Sequence, residues 1–377
     1  MINSKLPNIG TTIFTKMSAL ARAHNAINLS QGFPDFEVDE LLSDLLFQAS
    51  KEGFSQYAPM EGLLSLREKI SEKYKRLYQA DYSPNDVTIT AGATQAIFTA
   101  IASIIHKGDE VIIFTPAYDC YVPTVELFGG ICKFVSLKSP NFSVDWDVFD
   151  KQLSSKTKLV IINTPHNPTG SILQKSDLQI LEEKALEHNF LVLSDEVYEH
   201  IIFDGEKHQS ACMFPELKKR SFIVASFGKT FHITGWKMGY CIAPEALMKE
   251  FRKVHQFNVF CVNHPAQKAL NDYFEMEKFE MLSNFYQQKR DYFLSIISNK
   301  NLTFLDCKGT YFCVADFSKI SNLSDVEFCE WMTKEKRLAA IPLSVFYNDF
   351  KDEKLIRLCF AKQENTLKKA AEILNEL

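Results

Sequence analysis

Lys229 stands in Ser226-Phe227-Gly228-Lys229-Thr230-Phe231, directly after the apolar run Ser221-Phe222-Ile223-Val224-Ala225, and Lys237 follows eight residues later. An amine held just past a buried strand can bond covalently to an aldehyde cofactor, and a nearby hydroxyl and second cation can hold a phosphate. Ser226 and Lys237 supply those two groups. The Gly228-Lys229-Thr230 triplet is not a nucleotide P-loop, because that pattern needs Gly five residues before Gly228, where Ile223 stands. The ordinary alternative for any single lysine is a solvated surface residue, so the segment has to be weighed with the other strand ends.

Those ends carry similar chemistry. Asp86-Val87-Thr88-Ile89-Thr90 reads as a strand followed by Ala91-Gly92-Ala93-Thr94, which opens a helix marked by Ala96, Ile97, Ala100, Ile101 and Ile104. Glu110 to Phe114 leads to Pro116-Ala117-Tyr118, and Lys158 to Ile162 leads to Asn163 through Gly170, with Asn167 inside it. Phe190 to Leu193 leads to Asp195-Glu196-Val197-Tyr198, and Gly239 to Ala243 makes a sixth strand. Apolar runs alternating with helical patterns predict an α/β fold, with a mostly parallel central sheet covered by helices on both faces. In such a sheet ligands bind beyond the carboxyl ends of the strands. One edge would therefore gather Gly92, Ala93 and Thr94 at a helix start with Tyr118, Asn167, Asp195, Tyr198, Ser226 and Lys229.

Each residue has a plain structural alternative: Gly92 a turn, Asp195 a helix cap, Tyr118 and Tyr198 packing, the Asn-Pro pairs strand ends. Together they fit one ligand with a phosphate, a flat ring, a ring nitrogen and a phenolic oxygen. Pyridoxal 5'-phosphate has all four. Lys229 would then bond the aldehyde and shuttle a proton, and Asp195 would pair with the ring nitrogen. Tyr198 and Asn167 would donate to the phenolic oxygen, and Tyr118 would stack on the ring. The N–H groups of Ala93 and Thr94 would meet the phosphate at the helix start, completed by Ser226 and Lys237. Arg357 lies in the strand-like run Leu355 to Phe360, sharing a face with Leu355 and Cys359. A guanidinium among apolar neighbours needs a carboxylate partner, from a substrate or from the protein itself.

The chain has 377 residues, which predicts two domains or one large domain with a smaller companion. A net charge of -5 gives no general attraction to nucleic acid or anionic membrane, and no apolar run approaches the length of a membrane span. Nine scattered cysteines without a Cys-x-x-Cys pair point to reduced thiols in the cytoplasm, with neither structural metal nor disulfides expected. The last hundred or so residues read as a smaller α+β unit, with strands near Gly309–Asp316, Leu338–Ile341 and Leu355–Phe360 and a terminal helix from Glu364 to Leu377. A long helical stretch from Pro265 to about Ser298 is expected to connect the two units.

The chain resembles the fold-type I, class I and II aminotransferases over nearly its full length, in the branch of methionine, kynurenine and glutamine transaminases. The resemblance rests on Leu29 to Phe36, Gln56 to Gly62, Thr90 to Gln95, Asn163 to Gly170, Ser194 to Tyr198, the Lys229 segment and Leu355 to Ala361. It implies that Gly32 offers its N–H to the substrate carboxylate beside Asn167 and Arg357. It implies that Tyr57 reaches the cofactor phosphate of a neighbouring subunit, in a homodimer with shared sites. It further implies a large cofactor-binding domain at 33–275 and a small domain, 1–32 plus 276–377, that closes over substrate. The broader class has Arg where Lys237 stands; this branch shares the Lys. No motif supplies a second cation for a dicarboxylate side chain, while Ile13, Phe14 and Phe346-Tyr347 point to an apolar pocket suited to methionine and aromatic amino acids.

The expected activity is transfer of an amino group from such an amino acid to a 2-oxo acid, in two half-reactions. A cysteine-conjugate or cystathionine-type β-lyase on the same scaffold is the alternative, since both reactions begin by removing the α-proton. A ligand-sensing regulatory domain is disfavoured, because the first family motif begins by Leu29 and leaves no room for a DNA-binding region, and because Lys229 and Arg357 are retained.

Overall fold

The computed structural model describes residues 2–377. A short N-terminal strand, β1 (Ile27–Asn28), precedes the strands of the large sheet: β2 (Val87–Thr90), β3 (Glu110–Thr115), β4 (Ile131–Ser136), β5 (Thr157–Asn163), β6 (Leu191–Asp195), β7 (Ser221–Ser226) and β8 (Gly239–Ile242). Their spatial order is β2-β8-β7-β6-β5-β3-β4. Neighbours from β7 to β4 are parallel, while β8 runs antiparallel to both β7 and β2.

The buried runs show why this sheet is covered twice. Along β3, β5, β6 and β7 the side chains alternate between two apolar layers. Ile112, Val160, Val192 and Ile223 pack towards Phe149, Leu178, Leu181, Ile70 and Tyr74. Val111, Ile113, Leu159, Ile161, Leu193, Phe222 and Val224 pack towards the helices Gly92–Ile104 and Glu245–Asn258, through Ala96, Ile97, Ala100, Ile101, Met248 and Phe251.

The later strands are β9 (Thr303–Phe304), β10 (Phe312–Asp316), β11 (Leu338–Ala339), β12 (Ile341–Pro342) and β13 (Leu355–Cys359). Four of them form an antiparallel sheet in the order β12-β13-β10-β9, and β11 pairs in parallel with β1, Ile27 opposite Leu338 and Asn28 opposite Ala339. The N-terminal segment thereby joins the C-terminal elements. Arg357 sits in the middle of β13, opposite Val314 of β10 and Ile341 of β12.

One strand of the large sheet was not expected from the sequence, and two expectations need correction. The strand β4 carries Ile131-Cys132-Lys133-Phe134-Val135-Ser136 at the sheet edge, where one half-exposed strand lacks the continuous apolar run that marked the others. The expected helix from Pro265 to Ser298 is two helices, His264–Tyr273 and Met276–Ser295. Phe274 between them is extended, which turns its ring into the cluster of Phe227 and Phe279. The stretch 338–341 divides between two short strands that pair in different sheets.

Candidate active site

The carboxyl ends of β2, β3, β5, β6 and β7 meet in a cavity of about 680 Å³, counting the space open to solvent. Its lining includes Gly92, Ala93, Thr94, Tyr118, Asn167, Asp195, Tyr198, Ser226, Lys229 and Lys237. Ten of the residues singled out from the sequence therefore share one cavity. Lys237 reaches this edge from the other direction: it lies just before β8, the antiparallel strand, whose amino end is at the same rim.

Strand register builds the anion-binding corner. Gly239 faces Ser226 on one side and Thr90 on the other. A Cβ at Gly239 would lie 2.7 Å from the Ala225 carbonyl and 3.0 Å from the Ala93 nitrogen, so only glycine lets β8 come this close to the helix start. Gly92 has φ +76°, a left-handed conformation that favours glycine, and the Lys237 side chain lies across it. The helix N-terminus, the Ser226 hydroxyl and the Lys237 ammonium thus converge where an anion can be bound.

Asp195 is buried at the end of β6, beside Asn163 of β5. Its carboxylate accepts from the Tyr121 hydroxyl at 2.6 Å and from the Val197 N–H at 3.3 Å. Burial raises its pKa to about 6, against those hydrogen bonds. A cation brought beside it would reverse that shift. Asn163 donates through Nδ2 to the Asp195 carbonyl at 2.8 Å and accepts from the Asn167 N–H at 2.8 Å, so a single amide ties the Asn167 loop to the Asp195 strand. Tyr198 lines the cavity, and its phenol stays neutral because burial raises its pKa.

Lys229 follows β7 on a single helical turn, Phe227–Thr230. Its Nζ is 2.7 Å from the Tyr311 hydroxyl and 3.1 Å from the Gly32 carbonyl. Burial lowers its pKa to about 8. A larger share of the amine is therefore neutral, and nucleophilic, near neutral pH than for a solvated lysine.

Arg357 is 1 % exposed. It donates to the Asn167 side-chain oxygen at 2.5 Å and to the Ser30 carbonyl at 3.0 Å, both neutral, and its buried Nε has no partner. The guanidinium stacks 3.8 Å from the Phe312 ring and lies 5.4 and 5.5 Å from those of Phe14 and Phe346. The alternative of an internal salt bridge fails: among the described residues no carboxylate is hydrogen-bonded to it, and Asp119 acts only through space. A buried cation left on neutral partners is costly unless an external anion completes it.

Two expected contacts are not made within this chain. Tyr57 is 82 % exposed and packs edge-on against Phe260, outside the cavity. Tyr347 is buried with its hydroxyl turned to Glu353 at 3.0 Å, so of that pair only Phe346 faces the Arg357 corner. Sequence reasoning also missed three residues of the site. Tyr121 and Asn163 carry a local signal, one helical turn beyond Tyr118 and at the last position of β5. Tyr311 carries none, since its contact with Lys229 spans 82 positions.

A family model for aminotransferase class I and II matches residues 24–374, and the chain belongs to that family. It is 52% identical to the methionine aminotransferase of Escherichia coli (strain K12), covering 99% of this chain and 98% of that one. It is 35% identical to kynurenine–oxoglutarate transaminase 3 of Rattus norvegicus, over 98% of this chain and 88% of the relative. The crystal structure of Escherichia coli YbdL, reported with a methionine aminotransferase function, superposes with a TM-score of 0.98 at 51% identity and covers both chains completely. The fold and enzyme class expected from the sequence are borne out.

Proposed function

We propose that this aminotransferase uses pyridoxal 5'-phosphate to take the amino group of methionine and aromatic amino acids and pass it to a 2-oxo acid by a ping-pong route. The observation that carries the reading is Arg357, a buried guanidinium with neutral partners and an orphan Nε, tied through Asn167 to the cavity that holds Lys229 and Asp195. An α-carboxylate is the anion that suits it. The 52% identical Escherichia coli methionine aminotransferase supports methionine as donor. So does the ring-lined corner of Phe14, Phe312 and Phe346, which offers apolar contact to a side chain beside the bound carboxylate.

The residues present fit the cofactor. When bound, it supplies an aldehyde and a cationic ring that withdraws electrons from the substrate α-carbon. Asp195, as a carboxylate, holds a positive ring nitrogen, and that charge relieves its own burial penalty. Ala93, Thr94, Ser226 and Lys237 would hold the phosphate, Tyr118 would pack on the ring, and Tyr198 and Asn167 would donate to its oxygen. Lys229, as a neutral amine, would take the proton from the substrate α-carbon and hold it as an ammonium for return. Gly32 adds its N–H to the carboxylate site, and Arg357 fixes the substrate so that the α-C–H bond faces Lys229.

We further place Tyr57 against the cofactor phosphate of a second subunit, in a homodimer with shared sites in the cytoplasm. Its exposed ring beside Phe260 and the nine free cysteines support these two readings. The segments 1–32 and 276–377 would move together over the 33–275 domain, a division supported by the β1–β11 pairing. A β-lyase reaction is not favoured, since the relatives named above are transaminases. The test is a half-reaction panel: purified enzyme, one amino acid at a time, following loss of the aldehyde form in the visible spectrum. Methionine, phenylalanine and tyrosine should convert it faster than aspartate or glutamate. Preference for the dicarboxylates, or release of pyruvate and ammonia from cysteine conjugates without amino transfer, would overturn the reading.

A further inference from the structure

We propose that the Tyr311 hydroxyl and the Gly32 carbonyl form the docking point of the Lys229 ε-amine whenever that amine is not covalently engaged, which makes Tyr311 a positioning residue for the reaction. The inference rests on the role of Lys229 given above.

The hydrogen-bond directions carry the argument. Tyr311 is fully buried, and its phenol stays protonated because burial, then Tyr198, Cys359 and Tyr286, hold its pKa well above the ordinary value. A neutral phenol has one proton, and that proton goes to the Gly32 carbonyl at 2.5 Å. At Lys229 the same oxygen can therefore only accept. The amine thus meets two acceptors, Tyr311 at 2.7 Å and Gly32 at 3.1 Å. Two acceptors favour the ammonium over the neutral amine. The charged groups around Nζ act in both senses: Asp195 favours the cation, while Lys237 and Arg357 oppose it. The rings of Tyr198 and Tyr311 lie 5.7 and 5.3 Å away.

The docking point is held by packing, not by the lysine. The Tyr311 ring contacts Tyr198 at 5.1 Å, Phe312 at 4.9 Å and Tyr286 at 5.6 Å, and its carbonyl accepts from the Phe360 N–H at 3.0 Å. An amine that carries a proton between two carbons needs a fixed place to carry it. A neutral acceptor holds an ammonium without binding its charge as tightly as a carboxylate would, so the proton can be handed back.

The test uses Tyr311→Phe, which removes one oxygen, with Tyr311→Leu as a second variant and a thermal melt to show that each folds. In the cofactor-free enzyme, the rate at which trinitrobenzenesulfonate labels Lys229, mapped by peptide mass, reports its neutral fraction at each pH. Removing the acceptor should move the midpoint down by about one pH unit, a tenfold change in the neutral fraction. The same downward shift should appear in the pH profile with which the cofactor-free enzyme bonds added pyridoxal 5'-phosphate. A midpoint unchanged or raised in folded variants overturns the docking role. Failure of the wild type to bond pyridoxal 5'-phosphate at Lys229 would instead remove the functional reading itself.

Discussion

Burial, more than any neighbouring charge, sets the chemistry of Lys229 and Asp195. The Lys229 amine of the cofactor-free chain, held down to about 8, is neutral above that pH, so the rate at which this chain bonds added pyridoxal 5'-phosphate should rise through about pH 8 and then level off. A flat profile from pH 6 to 10 would contradict this. Asp195 has the opposite linkage. Its pKa in the folded, cofactor-free chain is raised to about 6, so ionising it between the ordinary carboxylate range and that value costs stability as pH rises. A cationic ring restores what is lost, and the gain in melting temperature on adding pyridoxal 5'-phosphate should be larger above pH 6 than at pH 5. Arg357→Ala should lower kcat/KM for methionine roughly 10- to 100-fold, the scale of a charged hydrogen bond worth about 1.5–3 kcal/mol, with little change in cofactor binding. Lys229, Asp195, Tyr198 and Asn167 were legible because each lies within five residues after an apolar run, where the edge of a parallel sheet must lie. Tyr311 was not, because a contact between the start of β10 and the turn after β7 is fixed by how the two sheets meet.

Elements hold the site through pairs that local pattern does not reveal. Glu199, one residue beyond Tyr198, accepts from Lys73 at 2.6 Å and from Tyr78 at 2.6 Å, with Lys73 and Glu199 only 1% and 3% exposed. Burial works to raise the Glu199 pKa, and Lys73 with His200 and His208 overcomes it, holding the carboxyl at about 2. The pair anchors the Asp195–Tyr198 turn to the helix Leu64–Tyr78. Lys73→Met would leave a buried carboxylate without its counter-charge and should cost about 3–5 kcal/mol of stability, read from denaturant unfolding. A loss below 1 kcal/mol would deny the anchor. Gly239→Ala should weaken cofactor binding, since its Cβ pushes β8 away from backbone atoms at the phosphate corner rather than from a flexible side chain. The central strands were legible as continuous apolar runs. The edge strand β4 was not, because an edge needs no such run, and the break at Phe274 carries neither Pro nor Gly to announce it.

At the scale of the whole molecule, the exposed aromatic residues Tyr57, Phe257 and Phe260 do not line the cavity of their own chain. If sites are shared, mixing Tyr57→Ala subunits with Lys229→Ala subunits should restore activity that neither parent shows, because one hybrid site carries both native residues. No recovery in a confirmed mixed dimer would set Tyr57 aside. The α/β architecture was readable from the order of runs and helices, whereas the joining of β1 to β11 across more than three hundred residues follows only from the closed fold. Everything proposed for this molecule depends on one bond at one lysine, and borohydride reduction of the yellow holoenzyme, followed by peptide mapping, tests it directly. The account predicts loss of visible absorption and a pyridoxyl phosphate mass on the peptide containing Lys229. A label on any other residue, or a protein that takes up no pyridoxal 5'-phosphate, would contradict it.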